Sequence, residues 1–164
     1  NCHSQFDKNM IEFLIIKKIQ SVIDYYFNQD LECKVCLNQK NELNFELSAC
    51  TPDGSERTSE ELDSIKSDGS FMFGNDEYAI KLDFKKETEI KTLVLREDIS
   101  FSQRVEKFSV FAFDGRNYKK VNSSTVIGSK KIIRFSETVR TNSLVIAFNR
   151  SRSNPVLRSV KVYN

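Results

Sequence analysis

A chain of 164 residues and 19.0 kDa suits one domain plus an appendage. Hydrophobic residues at 39% and charged ones at 29% describe a chain that buries a core, which excludes disorder as its main state. Clean apolar runs such as residues 13–16 are far too short to span a membrane. A single histidine, His3, argues against a histidine-based hydrolase and a multi-histidine metal centre. The formal charge of +2 hides an asymmetry: residues 41–84 carry eleven acids against three bases, and residues 85–164 seven acids against seventeen bases. The bases are spread along apparent strands, so a nucleic-acid partner is not indicated. The missing initiator Met suits a processed form or a piece of a longer chain.

Residues 9–28 read as an amphipathic helix. Ile11, Ile15, Ile19, Val22, Ile23 and Tyr26 recur at three- and four-residue steps, while Glu12, Lys17, Gln20 and Asp24 take the other side. Asn9 followed by Glu12 resembles a capping box. The four cysteines are Cys2, Cys33, Cys36 and Cys50. Cys33 and Cys36 have the spacing of a redox motif or of half a zinc site, but no second pair of that spacing exists. The expected reading is disulfides in a secreted protein, tying the helix to the first strand, with the connectivity open.

From residue 43 the period changes to two. Leu43, Phe45 and Leu47 alternate with polar residues, as do Tyr78, Ile80, Leu82 and Phe84. Short runs at 90–95, 108–113, 131–135, 144–148 and 156–163 are rich in β-branched and aromatic residues. Asp114-Gly115 between aromatic residues signals a hairpin. No helical pattern alternates with these strands, so the expected fold is mainly β: an antiparallel β-sandwich of jelly-roll kind over residues 41–164, preceded by a helical, cysteine-containing segment over 1–40. Residues 51–75 form a long, acidic stretch of the kind that is functional or poorly ordered.

Three groups of polar residues could carry chemistry. Asp63 and Asp68 on the acidic stretch are candidates for a structural calcium, although the spacing of an EF-hand is absent. Asn122-Ser-Ser and Asn149-Arg-Ser are N-glycosylation sequons. The densest signal is Arg96, Glu97, Gln103 and Arg104, followed by residues 128–131. It reads either as a network that fastens a loop or as a cleft offering fork-shaped donors to hydroxyls or carboxylates. Arg104 is expected to pair with Glu97 or a neighbouring carboxylate, and Gln103 to bond backbone near the adjacent loop. No nucleophile, base and pocket can be assembled, so the chain alone reads as non-catalytic.

Leu95-Arg-Glu-Asp-Ile99, Gln103-Arg-Val105, Phe108, Phe113-Asp-Gly115, Thr125-Val-Ile-Gly128, Lys130-Lys-Ile132, Arg134-Phe135 and Pro155-Val-Leu157 occur in that order. The set resembles the C-terminal β-sandwich of family 29 α-L-fucosidases, a discoidin-like (coagulation factor 5/8 type C), galactose-binding-like domain. The resemblance covers residues 78–163 well and 43–77 loosely. It implies a jelly-roll, carbohydrate-binding module of the family 32 kind, secreted or otherwise extracellular or periplasmic, whose partner is a glycan or a catalytic barrel. Its ligand-binding candidates are Arg96, Glu97, Gln103, Arg104, Lys130 and Asn149. The alternative is a module that docks a protein partner. The group usually places a Trp on the long loop, and this chain has none, so Phe71 or Phe73 would fill that place. Ser159 stands where the group tends to carry a Glu that aids a calcium site; no other cofactor is implied.

Overall fold

The structure, a computed structural model, describes residues 41–164. The expected helix at 9–28, together with Cys2, His3, Cys33 and Cys36, lies outside the described residues. In chain order the elements are β1 (Glu46–Cys50), β2 (Glu56–Arg57), a helical turn α1 (Glu60–Asp63), a 3-10 turn (Ser64–Ser67), β3 (Phe71–Met72) and β4 (Ala79–Glu97). A second 3-10 turn (Ile99–Phe101), β5 (Val105–Phe113), β6 (Tyr118–Thr125), β7 (Lys131–Ser151) and β8 (Val156–Tyr163) follow. Every strand pairing is antiparallel.

The sequence shows two short strands in each of the stretches 78–95 and 131–148, yet each pair is one long strand. A straight strand of 19 residues would run about 60 Å, several times the radius of gyration of a domain this size. β4 and β7 therefore bend and share two layers. Residues 79–83 of β4 pair with β1 and with residues 143–147 of β7. Residues 92–97 pair with β8, and residues 92–95 also with residues 131–134 of β7. The ladder slips at the bend, between Asp83 and Thr88. There Thr141, 1% exposed, satisfies backbone that the slip frees. Its Oγ1 lies 2.8 Å from the carbonyl oxygens of both Phe113 and Ser143 and accepts from the Ser143 N–H at 3.1 Å.

The first layer has the order β2-β1-β4-β7-β5-β6, and the second joins β3, β8, β4 and β7. Between them lies one core. Ile80, Leu82 and Phe84 enter it from the first half of β4, Leu93 and Leu95 from the second, Phe108 and Val110 from β5, and Val160 and Val162 from β8. Full burial is worth roughly 1.5–3 kcal/mol for each such side chain, which sets the register of every long strand.

Residues 51–75 are ordered, for the same reason. The side chain of Ser59 caps α1 by accepting the Leu62 N–H at 3.1 Å, and Leu62, Ile65, Phe71 and Phe73 are all buried in the common core. Phe71 and Phe73 meet edge to face at 5.0 Å, and Phe73 meets Phe148 likewise. Both candidate residues thus fill the buried aromatic position.

Candidate functional site

The strands 97–105, 125–131 and 151–156 turn over at one end of the sandwich, where residues 68–75 also arrive. What holds this end is Glu97, the last residue of β4. It continues the inward face of Leu93 and Leu95 and is 2% exposed. A buried carboxylate is costly unless its lone pairs are filled. Here Oε1 accepts the N–H groups of Arg104 (2.9 Å) and Val105 (2.8 Å), and Oε2 accepts that of Gly128 (2.8 Å). The Glu97 N–H in turn donates to the Gly128 carbonyl at 2.9 Å. One side chain so ties the end of β4 to the start of β5 and to the β6–β7 loop. Gly128 has φ +63, a conformation that favours glycine.

Arg104 pairs neither with Glu97 nor, among the described residues, with another carboxylate. The carboxylate points inward and is saturated by backbone, so the guanidinium turns outward to carbonyls. Its Nε donates to Phe101 O at 3.0 Å and its terminal nitrogen to Asn154 O at 2.9 Å. Three of its five N–H groups remain. The guanidinium carbon stands 5.8 Å from the centre of the Phe101 ring, and Phe101 is 44% exposed. Around this pair, Asn154 Nδ2 donates to Asn75 Oδ1 at 2.8 Å, and Ser70 Oγ to Asp98 Oδ2 at 2.8 Å. Hydrogen bonds from Ser100 first, and then Ser70, hold the Asp98 carboxyl below its ordinary pKa. The two non-glycine residues with positive φ among the described residues, Asp68 (φ 59) and Ser102 (φ 68), belong to this end. Strained backbone of this kind tends to collect at binding sites.

The six candidates thus separate. Glu97, Gln103 and Arg104 come together, with the Gln103 amide oxygen over Gly128; among the described residues Gln103 makes no hydrogen bond. Lys130 follows in the β6–β7 loop, half-buried. Arg96 projects from the opposite face of β4 and lies 3.5 Å from Asp68. Asn149 stands apart on β7, its Oδ1 accepting from Ser109 Oγ at 2.7 Å. The calcium candidates do not converge: Asp68 faces Arg96, and Asp63 pairs with Lys66 at 2.7 Å. Among the described residues no three His, Cys, Asp or Glu side chains group around a metal position. The expectation of a disulfide at Cys50 is also corrected. Cys50 closes β1 as a free thiol, raised in pKa by burial and next by Glu56.

Phe101, Asn154, Asn75 and Ser70 were missed by the sequence reading. They lie outside the period-two runs, and only an aromatic residue set between Ser100 and Ser102 hinted at a displayed ring.

This geometry can be set beside known proteins. No family model matches the chain. Alpha-L-fucosidase 1 of Arabidopsis thaliana is 27% identical over 89 residues, which are 53% of this chain and 18% of that protein. The solved structure of SpGH29 superposes with a TM-score of 0.62 at 21% identity, over 74% of this chain and 27% of that one. The family 32 carbohydrate-binding module of Clostridium perfringens NanJ, solved in complex with galactose, superposes with a TM-score of 0.61 at 12% identity, over 76% of this chain and 98% of that one. The fold is the galactose-binding-like, discoidin-type β-sandwich. The chain spans less than a fifth of the curated fucosidase it matches, about a quarter of SpGH29, and nearly the whole of the family 32 module.

Proposed function

We propose that this galactose-binding-like sandwich is a non-catalytic carbohydrate-binding module that works outside the cytoplasm beside a glycan-acting catalytic domain. The observation that carries the reading is the exposed Phe101 ring held next to Arg104. A sugar needs an apolar face to stack on and fixed polar groups to read its hydroxyls. Phe101 supplies the first. The free N–H groups of Arg104 and the Asn154–Asn75 amide pair supply the second. Because Glu97 and the two carbonyls fix Arg104 before a ligand arrives, little ordering entropy is spent on binding.

Titration calorimetry of the chain with galactose, N-acetylgalactosamine and fucose tests this. Binding of one of them, lost in Phe101→Ala with the fold retained, is the expected result. No heat with any sugar on a broad glycan panel would overturn it. A second reading has its own observation: Ile99, in the 3-10 turn that carries Phe101, and Met72, on β3, are 56% and 46% exposed. An apolar rim of this size also suits docking to a protein. In that case Met72→Ser and Ile99→Ser weaken association with the catalytic partner while sugar binding stays absent.

A further inference from the structure

The outward face of the strands β6, β5 and β7 carries charges that folding does not explain. Lys107 of β5 lies directly opposite Arg150 of β7 in the ladder, and like charges so placed repel. Among the described residues Lys107 has no acidic partner. Arg150 and Arg152 share one carboxylate, Glu106, at 2.5 and 2.8 Å. Further along the same face Lys120 of β6 is opposite Phe111, and its Nζ lies 5.7 Å over that ring with no carboxylate beside it. Some bases elsewhere meet acids, as Arg57 with Glu77, Lys81 with Glu56, and Arg140 with Glu89.

Between the two cationic points Ser123 and Asn149 are exposed, while Ser109 is buried. Ser109 and Ser123 are ladder partners. Because Ser109 Oγ occupies the Asn149 oxygen, the Asn149 amide N–H groups are left for solvent, and Asn149 itself is exposed. Lys107 and Phe111 are four residues apart on one strand, roughly 14 Å. That is the span of a few sugar units rather than of one.

We propose that this face binds an extended anionic polysaccharide, sulfated or carboxylated, along β5. The cation pair at Lys107 and Arg150 takes one charged group, Lys120 takes another, and the Ser123 hydroxyl and the Asn149 amide read the chain between them. The surface adjoins the loop end, where the Arg152 N–H donates to the Arg104 carbonyl at 2.9 Å, but it uses neither Phe101 nor the Arg104 guanidinium, so the inference stands whether or not that end binds a sugar.

Dextran sulfate, with uncharged dextran as its control, is the probe. The chain is expected to bind dextran sulfate and not dextran, with affinity falling as salt rises. Lys107→Glu with Arg150→Glu should weaken binding roughly tenfold or more. Lys85→Glu with Lys86→Glu makes the same change in net charge elsewhere and should leave it unchanged. Should the reversal pair fail to fold, Lys107→Gln with Arg150→Gln gives the same reading with a smaller loss. An equal loss in the Lys85/Lys86 control would overturn the proposal, because net charge and not this face would then decide. Binding of duplex DNA as tight as that of dextran sulfate would overturn it too, in favour of a nucleic-acid surface.

Discussion

The two ends of the sandwich are each closed by a carboxylate that accepts backbone N–H groups, and they differ in reach. At the loop end Glu97 is buried and bonds residues seven, eight and 31 positions away. At the other end Asp114 is exposed, and its Oδ1 accepts the N–H groups of Arg116 (2.9 Å) and Asn117 (2.8 Å) within its own turn, while Lys119 stands 2.7 Å from Oδ2. Asp114 shapes one hairpin. Glu97 assembles a surface from three loops, which is why the displayed aromatic and the fixed arginine are found at its end. A surface hollow of about 380 Å³ at the hairpin end is bordered by Phe113, Phe135 and Arg140; its basic groups are spent, Arg140 on Glu89 and Lys119 on Asp114.

The comparison breaks first at Glu97. In Glu97→Gln one oxygen can still accept from Arg104 and Val105, but an NH2 group replaces the acceptor for Gly128, and two donors face each other. A buried donor left without a partner costs about 1–3 kcal/mol, and the neutral acceptor weakens the other two bonds. The expected total is about 3 kcal/mol, seen as a fall of roughly 10 °C in Tm. A variant that melts with the wild type would show that Glu97 does not hold this end.

Arg104→Ala comes next. It removes two charge-assisted bonds to carbonyls that solvent can partly replace, so about 1–2 kcal/mol is expected in denaturant unfolding. Any sugar affinity should fall by more than the folded fraction does, because the arginine also faces the ligand. A loss of affinity that only tracks unfolding would make Arg104 a strut and not a contact. Gly128→Ala should cost about 1 kcal/mol from its positive φ alone, since the added Cβ would meet only Gln103 Oε1 at 3.6 Å, an ordinary contact. A cost as large as that of Glu97→Gln would mean that the loop tolerates no adjustment at all.

The difference in reach also decides what the sequence discloses. The hairpin end is legible because its partners are neighbours: Asp114-Gly115 falls between alternating runs, and Gly115 has φ +95 as such a turn requires. The strands β5 and β8 are legible by their period, and β6 only through the hairpin signal that precedes it. Glu97 and Arg104 stand out as a polar pair, but a carboxylate that takes backbone N–H groups leaves no partner residue in the sequence. The natural inference, a salt bridge between them, is therefore wrong in its atoms while right in its place. The joining of 78–84 to 90–95 in a single strand is hidden for a related reason. Polar residues 85–89 read as a turn, and only the resumed pairing of Thr88 and Glu89 with β7 shows that the strand runs on.

The smallest effect belongs to Asp114, and pH isolates it. Its carboxyl lies well below the ordinary aspartate pKa, chiefly because it accepts the Asn117 N–H, then through Lys119 and the Arg116 N–H. A group whose pKa is lowered by folding stabilises the fold above its unfolded pKa, about 3.9 for aspartate, and that contribution is lost as pH falls towards the folded value. Asp114→Asn keeps an oxygen for both backbone N–H groups and removes the charge. The wild type should therefore melt slightly higher than the variant at neutral pH, and the gap should narrow once pH drops below about 4. Salt should narrow it as well, because the pair with Lys119 is exposed and screened. A gap that stays constant from neutral to acid pH would mean that the amide replaces the carboxylate fully and that geometry, not charge, closes this end.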